Sequence, residues 1–200
     1  MTNLYGGTTL TGHPPSPPQR RSVRLQAYDY RSQAVYYITI CSADKQRIFG
    51  EIVNDQMRLN GVGGCVDEAW LQTADKRPSV ELDTHVIMPN HFHALFFLNS
   101  GIQTASDFPG RSQARSSGSI GSIVAGFKQA ATISIRRHVG DDQLPVWQRG
   151  YYEHIVRNDS SLAQIREYIQ NNPINWALDR ENCCFVPDQA NPRTGWRETT

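Results

Sequence analysis

Two histidines one residue apart, His91 and His93, lie in an apolar run that opens with Val86-Ile87 and continues through Leu95-Phe96-Phe97-Leu98. Such a run predicts a buried β-strand from His91 to Leu98, and alternate residues of a strand face the same side. Both imidazoles then stand side by side on one face of a central strand. Burying two polar rings costs free energy unless something satisfies them, and a shared metal ion does so for both at once. The alternative is a pair of core histidines held by hydrogen bonds alone. Two rings at this spacing favour the metal.

A phenol and an amide follow on a helix. Leu162, Ile165 and Ile169 predict a helix from about Ser161 to Asn172, with Ser161 and Gln164 as a capping box. Pro173 is expected to close it by biasing Asn172 away from helical geometry. Tyr168 and Asn172 are one turn apart on one face, beside the apolar stripe. If that stripe packs on the sheet, both come near the histidine pair. Packing alone also explains a tyrosine at such an edge.

The rest of the chain must position these groups. Strands are expected at Ala34 to Cys41, within Ile48 to Leu59, at Val80 to Met88, at His91 to Leu98 after a break at Pro89-Asn90, and at Val146 to Val156 as an edge. Helices are expected from Val62 to about Thr73, with Gly61, Gly63 and Gly64 blurring the start, and from Ile120 until Gly140 ends it. This order points to an α+β sandwich with helices packed on a mainly antiparallel sheet. Residues 1–22 read as a disordered Pro- and Gly-rich leader, 23–180 as the domain with a flexible linker at 99–119, and 181–200 as a polar tail.

Composition sets the bounds. A formal net charge of +1 over 200 residues announces no polyanion partner, although Arg20, Arg21 and Arg24 cluster locally. A solvated face is the commoner reading of such a cluster. Cys41, Cys65, Cys183 and Cys184 lack metal-knuckle spacing and suit free thiols in a reducing cytoplasm. No signal peptide or membrane-length apolar run is recognisable, so a soluble cytoplasmic protein with no membrane partner is expected.

Three stretches in order resemble one family. They are Val86-Ile87-Met88-Pro89-Asn90-His91-Phe92-His93, then Trp147-Gln148-Arg149-Gly150-Tyr151-Tyr152-Glu153-His154-Ile155-Val156-Arg157, then Tyr168-Ile169 with Asn172-Pro173. Together they resemble the REP-associated tyrosine transposases, relatives of the small single-tyrosine insertion-sequence transposases. His91-Phe92-His93 matches that family's HUH motif (His, bulky apolar, His), and the resemblance covers roughly residues 23–180.

The resemblance implies a ferredoxin-like HUH domain. It implies that His91, His93 and Asn172 hold a divalent cation, Mg²⁺ or Mn²⁺, and that Tyr168 is the nucleophile. The implied reaction cleaves and rejoins single-stranded DNA beside imperfect-palindrome hairpins through a 5′-phosphotyrosine. Arg20, Arg21 and Arg24 would clamp the hairpin backbone, and Arg149 and His154 would line the site. A bacterial, nucleoid-associated location follows from this, and a homodimer is left open. A non-catalytic, domesticated hairpin-binding module on the same fold is the alternative. A hydrolase using metal-bound water ranks last, because nothing carboxylic is expected beside the histidines, the nearest upstream being Asp83.

Overall fold

In Ala34–Cys41 and His91–Leu98, β-branched and aromatic residues occupy both faces, the composition of strands covered on two sides. They form the two central strands of the computed structural model, which describes residues 34–99 and 118–182. The elements run β1 (Ala34–Cys41), β2 (Gly50–Val53), β3 (Gln56–Leu59), α1 (Gly61–Lys76), β4 (Val80–Met88), β5 (His91–Leu98), α2 (Ile120–Val139), β6 (Tyr152–Val156) and α3 (Asp159–Asn171). The principal sheet has the order β4-β5-β1-β6, and every neighbouring pair is antiparallel. Helix α1 carries the chain from β1 to β4, and α2 from β5 to β6, each crossing one intervening strand. This is the split β-α-β arrangement of ferredoxin-like folds. Strands β2 and β3 form a separate hairpin turned through Asn54 and Asp55, both at positive φ.

The sheet is buried on both sides. Tyr36, Ile38, Ile40, Phe92, Ala94 and Phe96 pack on one face with Trp70 of α1 and Phe127 of α2. The Trp70 ring meets Phe92, Phe96 and Phe127 edge-on at centroid distances of 5.1, 5.7 and 5.2 Å. On the opposite face Tyr37, Leu95 and Val156 meet Ile165 and Ile169 of α3. The period of two along β5 therefore assigns Phe92 to the large core and His91 and His93 to the α3 side.

Four local expectations are revised. The stretch from Ile48 to Leu59 holds two strands rather than one. Within Val146 to Val156 only Tyr152–Val156 is a strand. Ahead of it Trp147 bridges to Ser42, and the Lys128 ammonium holds the Gln148 and Gly150 carbonyls at 2.7 and 3.1 Å. Helix α3 is capped by Asn158, whose side chain accepts from the Ser161 N–H at 2.8 Å, so Ser161 lies inside the first turn. Asn172 keeps helical angles (φ −59°, ψ −41°) despite Pro173. The bias before proline yields here to a continued turn, closed by the Asn175 N–H on the Asn171 carbonyl at 3.1 Å.

None of the described helices is long and apolar enough to cross a membrane. Arg20, Arg21 and Arg24, most of the expected linker, and the last eighteen positions of the expected tail (183–200) lie outside the described residues.

Candidate active site

The α3 side of β5 presents His91 and His93, buried, with ring centroids 4.4 Å apart. Asn172, just past the end of α3, and Asp179, in the turn beyond it, are buried beside them. The His91 Nε2 and Asp179 Oδ2 atoms are 3.5 Å apart. Donor atoms of His91, His93 and Asp179 all lie within 4.8 Å of one another. Four atoms in this cluster (His91 Nε2, His93 Nε2, Asn172 Oδ1 and Asp179 Oδ2) are buried with no hydrogen-bond partner. Native proteins rarely leave such groups unsatisfied, and two imidazole nitrogens grouped with a carboxylate, beside a buried amide oxygen, fit a cation.

The protonation of the rings agrees with that fit. The Asn90 amide donates to the carbonyls of Lys45 (3.2 Å) and Glu181 (2.6 Å), which turns its Oδ1 toward His91. His91 Nδ1, 2.9 Å away, must then carry the proton and donate it, leaving the Nε2 lone pair facing the cluster. His93 Nδ1 lies 2.8 Å from both the Tyr37 and Thr39 hydroxyls. Burial holds the His91 pKa well below its ordinary value, helped by His93 and opposed by the Asn172 amide. Burial takes His93 down to about 3, with the Glu181 carboxylate opposing. Burial also pushes the Asp179 carboxyl up to about 6. Both shifts run against a His91–Asp179 ion pair, so desolvation outweighs their 3.5 Å approach. The rings stay neutral, which is the ligating form.

Tyr168 borders the cluster. Its ring stands edge-on to His93 at 5.4 Å and to Tyr37 at 6.4 Å. Burial and then the nearby Asp179 push its pKa above the ordinary tyrosine range, with hydrogen bonds from Asn172 and Tyr37 opposing. The neutral phenol is therefore the resting form, and added positive potential at the cluster would favour its ionisation.

Asp179 is the residue that sequence reasoning missed. It overturns the expectation that no carboxylate lies near the histidines. The turn that carries it is tied down at several points. Glu181 pairs with Lys45 at 2.9 Å and accepts from the Cys41 thiol at 3.1 Å. Arg47 donates to Asn182 Oδ1 at 2.8 Å and covers the Trp176 ring. No local pattern announced this return of the chain; the carboxylates in a polar segment were its sole trace. His154 stands opposite Tyr37 across β6 and β1, one strand away from β5. Arg149 is exposed on the loop ahead of β6 and is not among the residues gathered at the histidines.

No family model matches the chain. A protein of Haemophilus influenzae, described there as uncharacterized, is 42% identical over 167 residues, covering 80% of this chain and 92% of that one. The chain belongs to the same family as that protein. Among solved structures, a REP-associated tyrosine transposase bound to a REP hairpin superposes with a TM-score of 0.53 at 17% identity, covering 78% of this chain and 74% of that one. The two share the fold: a mixed α+β domain with helices packed on a mainly antiparallel sheet.

Proposed function

We propose that this protein is a metal-dependent, single-tyrosine DNA strand transferase that cleaves and rejoins single-stranded DNA beside a hairpin. One juxtaposition carries the reading: the Tyr168 ring, 5.4 Å from His93, borders a buried cluster of four unsatisfied donor atoms. A phenol beside such a cluster suits attack on a phosphodiester held there. As the Tyr168 phenol gives up its proton and its oxygen bonds to phosphorus, the bond to the 3′ oxygen breaks, and the departing oxygen takes up a proton in turn. The phosphotyrosyl product keeps the energy of the diester, so a DNA 3′-OH can reverse the step without ATP. His91, His93, Asn172 and Asp179 would hold the divalent ion, and two nitrogen donors suit Mn²⁺ at least as well as Mg²⁺. Such an ion would stabilise charge on the non-bridging oxygens. Hairpin DNA is the substrate to try, because the solved transposase of the same fold is described as bound to a REP hairpin.

The test is a denaturing gel of the protein mixed with labelled single-stranded hairpin DNA and Mn²⁺. The reading expects a covalent band that is lost in Tyr168→Phe. Asp179, 3.5 Å from His91, favours a second reading in which water is the nucleophile and the carboxylate its base. Cleavage that persists in Tyr168→Phe with no covalent band in either protein would select it. Hairpin binding without any cleavage would select a non-catalytic module.

A further inference from the structure

We infer that Tyr37 and Thr39 are positioning residues that fix the tautomer of His93 and aim its Nε2 at the cluster. This rests on the reading of the cluster as a metal site. In the antiparallel register Thr39 of β1 sits directly opposite His93 of β5, and Tyr37, two residues away, shares its face. The hydroxyls of both lie 2.8 Å from His93 Nδ1. In the arrangement we infer, Thr39 gives its single proton to the Tyr37 oxygen 3.2 Å away. Thr39 therefore has only lone pairs to offer His93. Nδ1 is then the protonated nitrogen, and Nε2, buried and without a hydrogen-bond partner, keeps its lone pair. The Tyr37 ring also stacks on the His93 ring at 5.5 Å, which stops the imidazole from rotating about its attachment.

Packing accounts for the Tyr37 ring but not for its hydroxyl. The same ring lies edge-on to Tyr168 at 6.4 Å, so one buried side chain borders both the histidine and the proposed nucleophile. His91 has its own partner in Asn90. The two rings are thus oriented by separate devices, and disabling one leaves the other in place.

The first measurement needs no variant, metal or DNA. Long-range ¹H–¹⁵N spectra of the metal-free full chain should show His93 as the Nδ1–H tautomer; an Nε2–H form overturns the inference. The second measurement is Mn²⁺ binding by calorimetry. Tyr37→Phe/Thr39→Val keeps both side-chain shapes and deletes both hydroxyls, and should weaken Mn²⁺ binding about 10- to 100-fold. It should leave the His91 tautomer unchanged and convert His93 to a mixture. Binding within twofold of the parent, with His93 still Nδ1–H, overturns the inference. Neither readout depends on cleavage, so both stand if no phosphotyrosine forms. Should His93→Ala leave Mn²⁺ binding intact, it is the metal-site reading that fails.

Discussion

His91 Nε2 and Asp179 Oδ2 face each other across 3.5 Å in a buried site, and neither makes a hydrogen bond. A carboxylate and a neutral imidazole lone pair repel, so the contact is favourable only with something positive between them. Metal should accordingly stabilise the fold. Free Mn²⁺ at a hundred times its dissociation constant adds about 2.7 kcal/mol to a protein that binds it only when folded. Chelator-treated protein should show a rise in Tm on adding Mn²⁺, reduced in Asp179→Asn and absent in His91→Ala/His93→Ala. An undiminished rise in the double variant would place the ion elsewhere.

The histidines face the cluster, whereas hairpin recognition is expected to use other surfaces. His91→Ala or His93→Ala should abolish cleavage and leave hairpin affinity nearly unchanged. Asn172→Ala should cost less, since it removes one neutral oxygen donor of the four. Cleavage assays paired with binding titrations check this, and full cleavage by the double histidine variant in EDTA would sink it.

Acid should act on the metal-free protein through these same rings. Burial holds His93 at about 3 and His91 well below its ordinary value, so the unfolded chain takes up two protons below about pH 6.5 that the folded chain refuses. Their contribution is complete above that pH and is lost as pH falls toward 3. Asp179, raised to about 6 by burial, acts oppositely, its folded form gaining a proton first. Two losses against one gain leave a net proton on the unfolded side near pH 5, about 1.4 kcal/mol per pH unit. In urea titrations with EDTA, His91→Gln/His93→Gln should lose less stability than the parent between pH 6.5 and 5. Parallel curves would mean that the rings titrate normally.

Residues close in sequence made much of this legible. The period of two placed both histidines on one face of β5, and the spacing of Tyr168 and Asn172 put them together on one side of the last helix. The bounds of β1 and β5 follow from their β-branched and aromatic runs, β5 lying between the break at Pro89-Asn90 and Asn99, whereas Glu81, Asp83 and His85 interrupt the apolar pattern of β4. Asp179 stayed hidden because its approach to His91 depends on a turn that Glu181 and Asn182 fasten to Lys45 and Arg47, far away in the chain. Tyr37 was legible as a strand residue, yet its hydroxyl acquires a partner only through the pairing of β1 with β5. At Asn158 and Ser161 two good capping residues competed, and the one that set the helix start was the one whose side chain reached the Ser161 N–H.

The glycines at the start of α1 give a paired prediction about why that helix tolerates them. Asn60 caps the helix by accepting from the Gly63 N–H at 2.9 Å. At Gly63 an added Cβ would lie 2.1 Å from the Phe49 carbonyl oxygen, a backbone atom that cannot swing aside. That same carbonyl accepts from the Asn60 N–H, so the cap and the close approach are one packing unit. At Gly64 an added Cβ meets nothing within 4 Å. Gly64→Ala should therefore stabilise by about 0.5–1 kcal/mol through helix propensity alone. Gly63→Ala gains the same propensity but must displace backbone, and overpacking of that kind costs about 1–3 kcal/mol. Urea midpoints of the two variants should move in opposite directions about the parent value. If both rise together, backbone flexibility rather than the contact with Phe49 accounts for the glycine at 63.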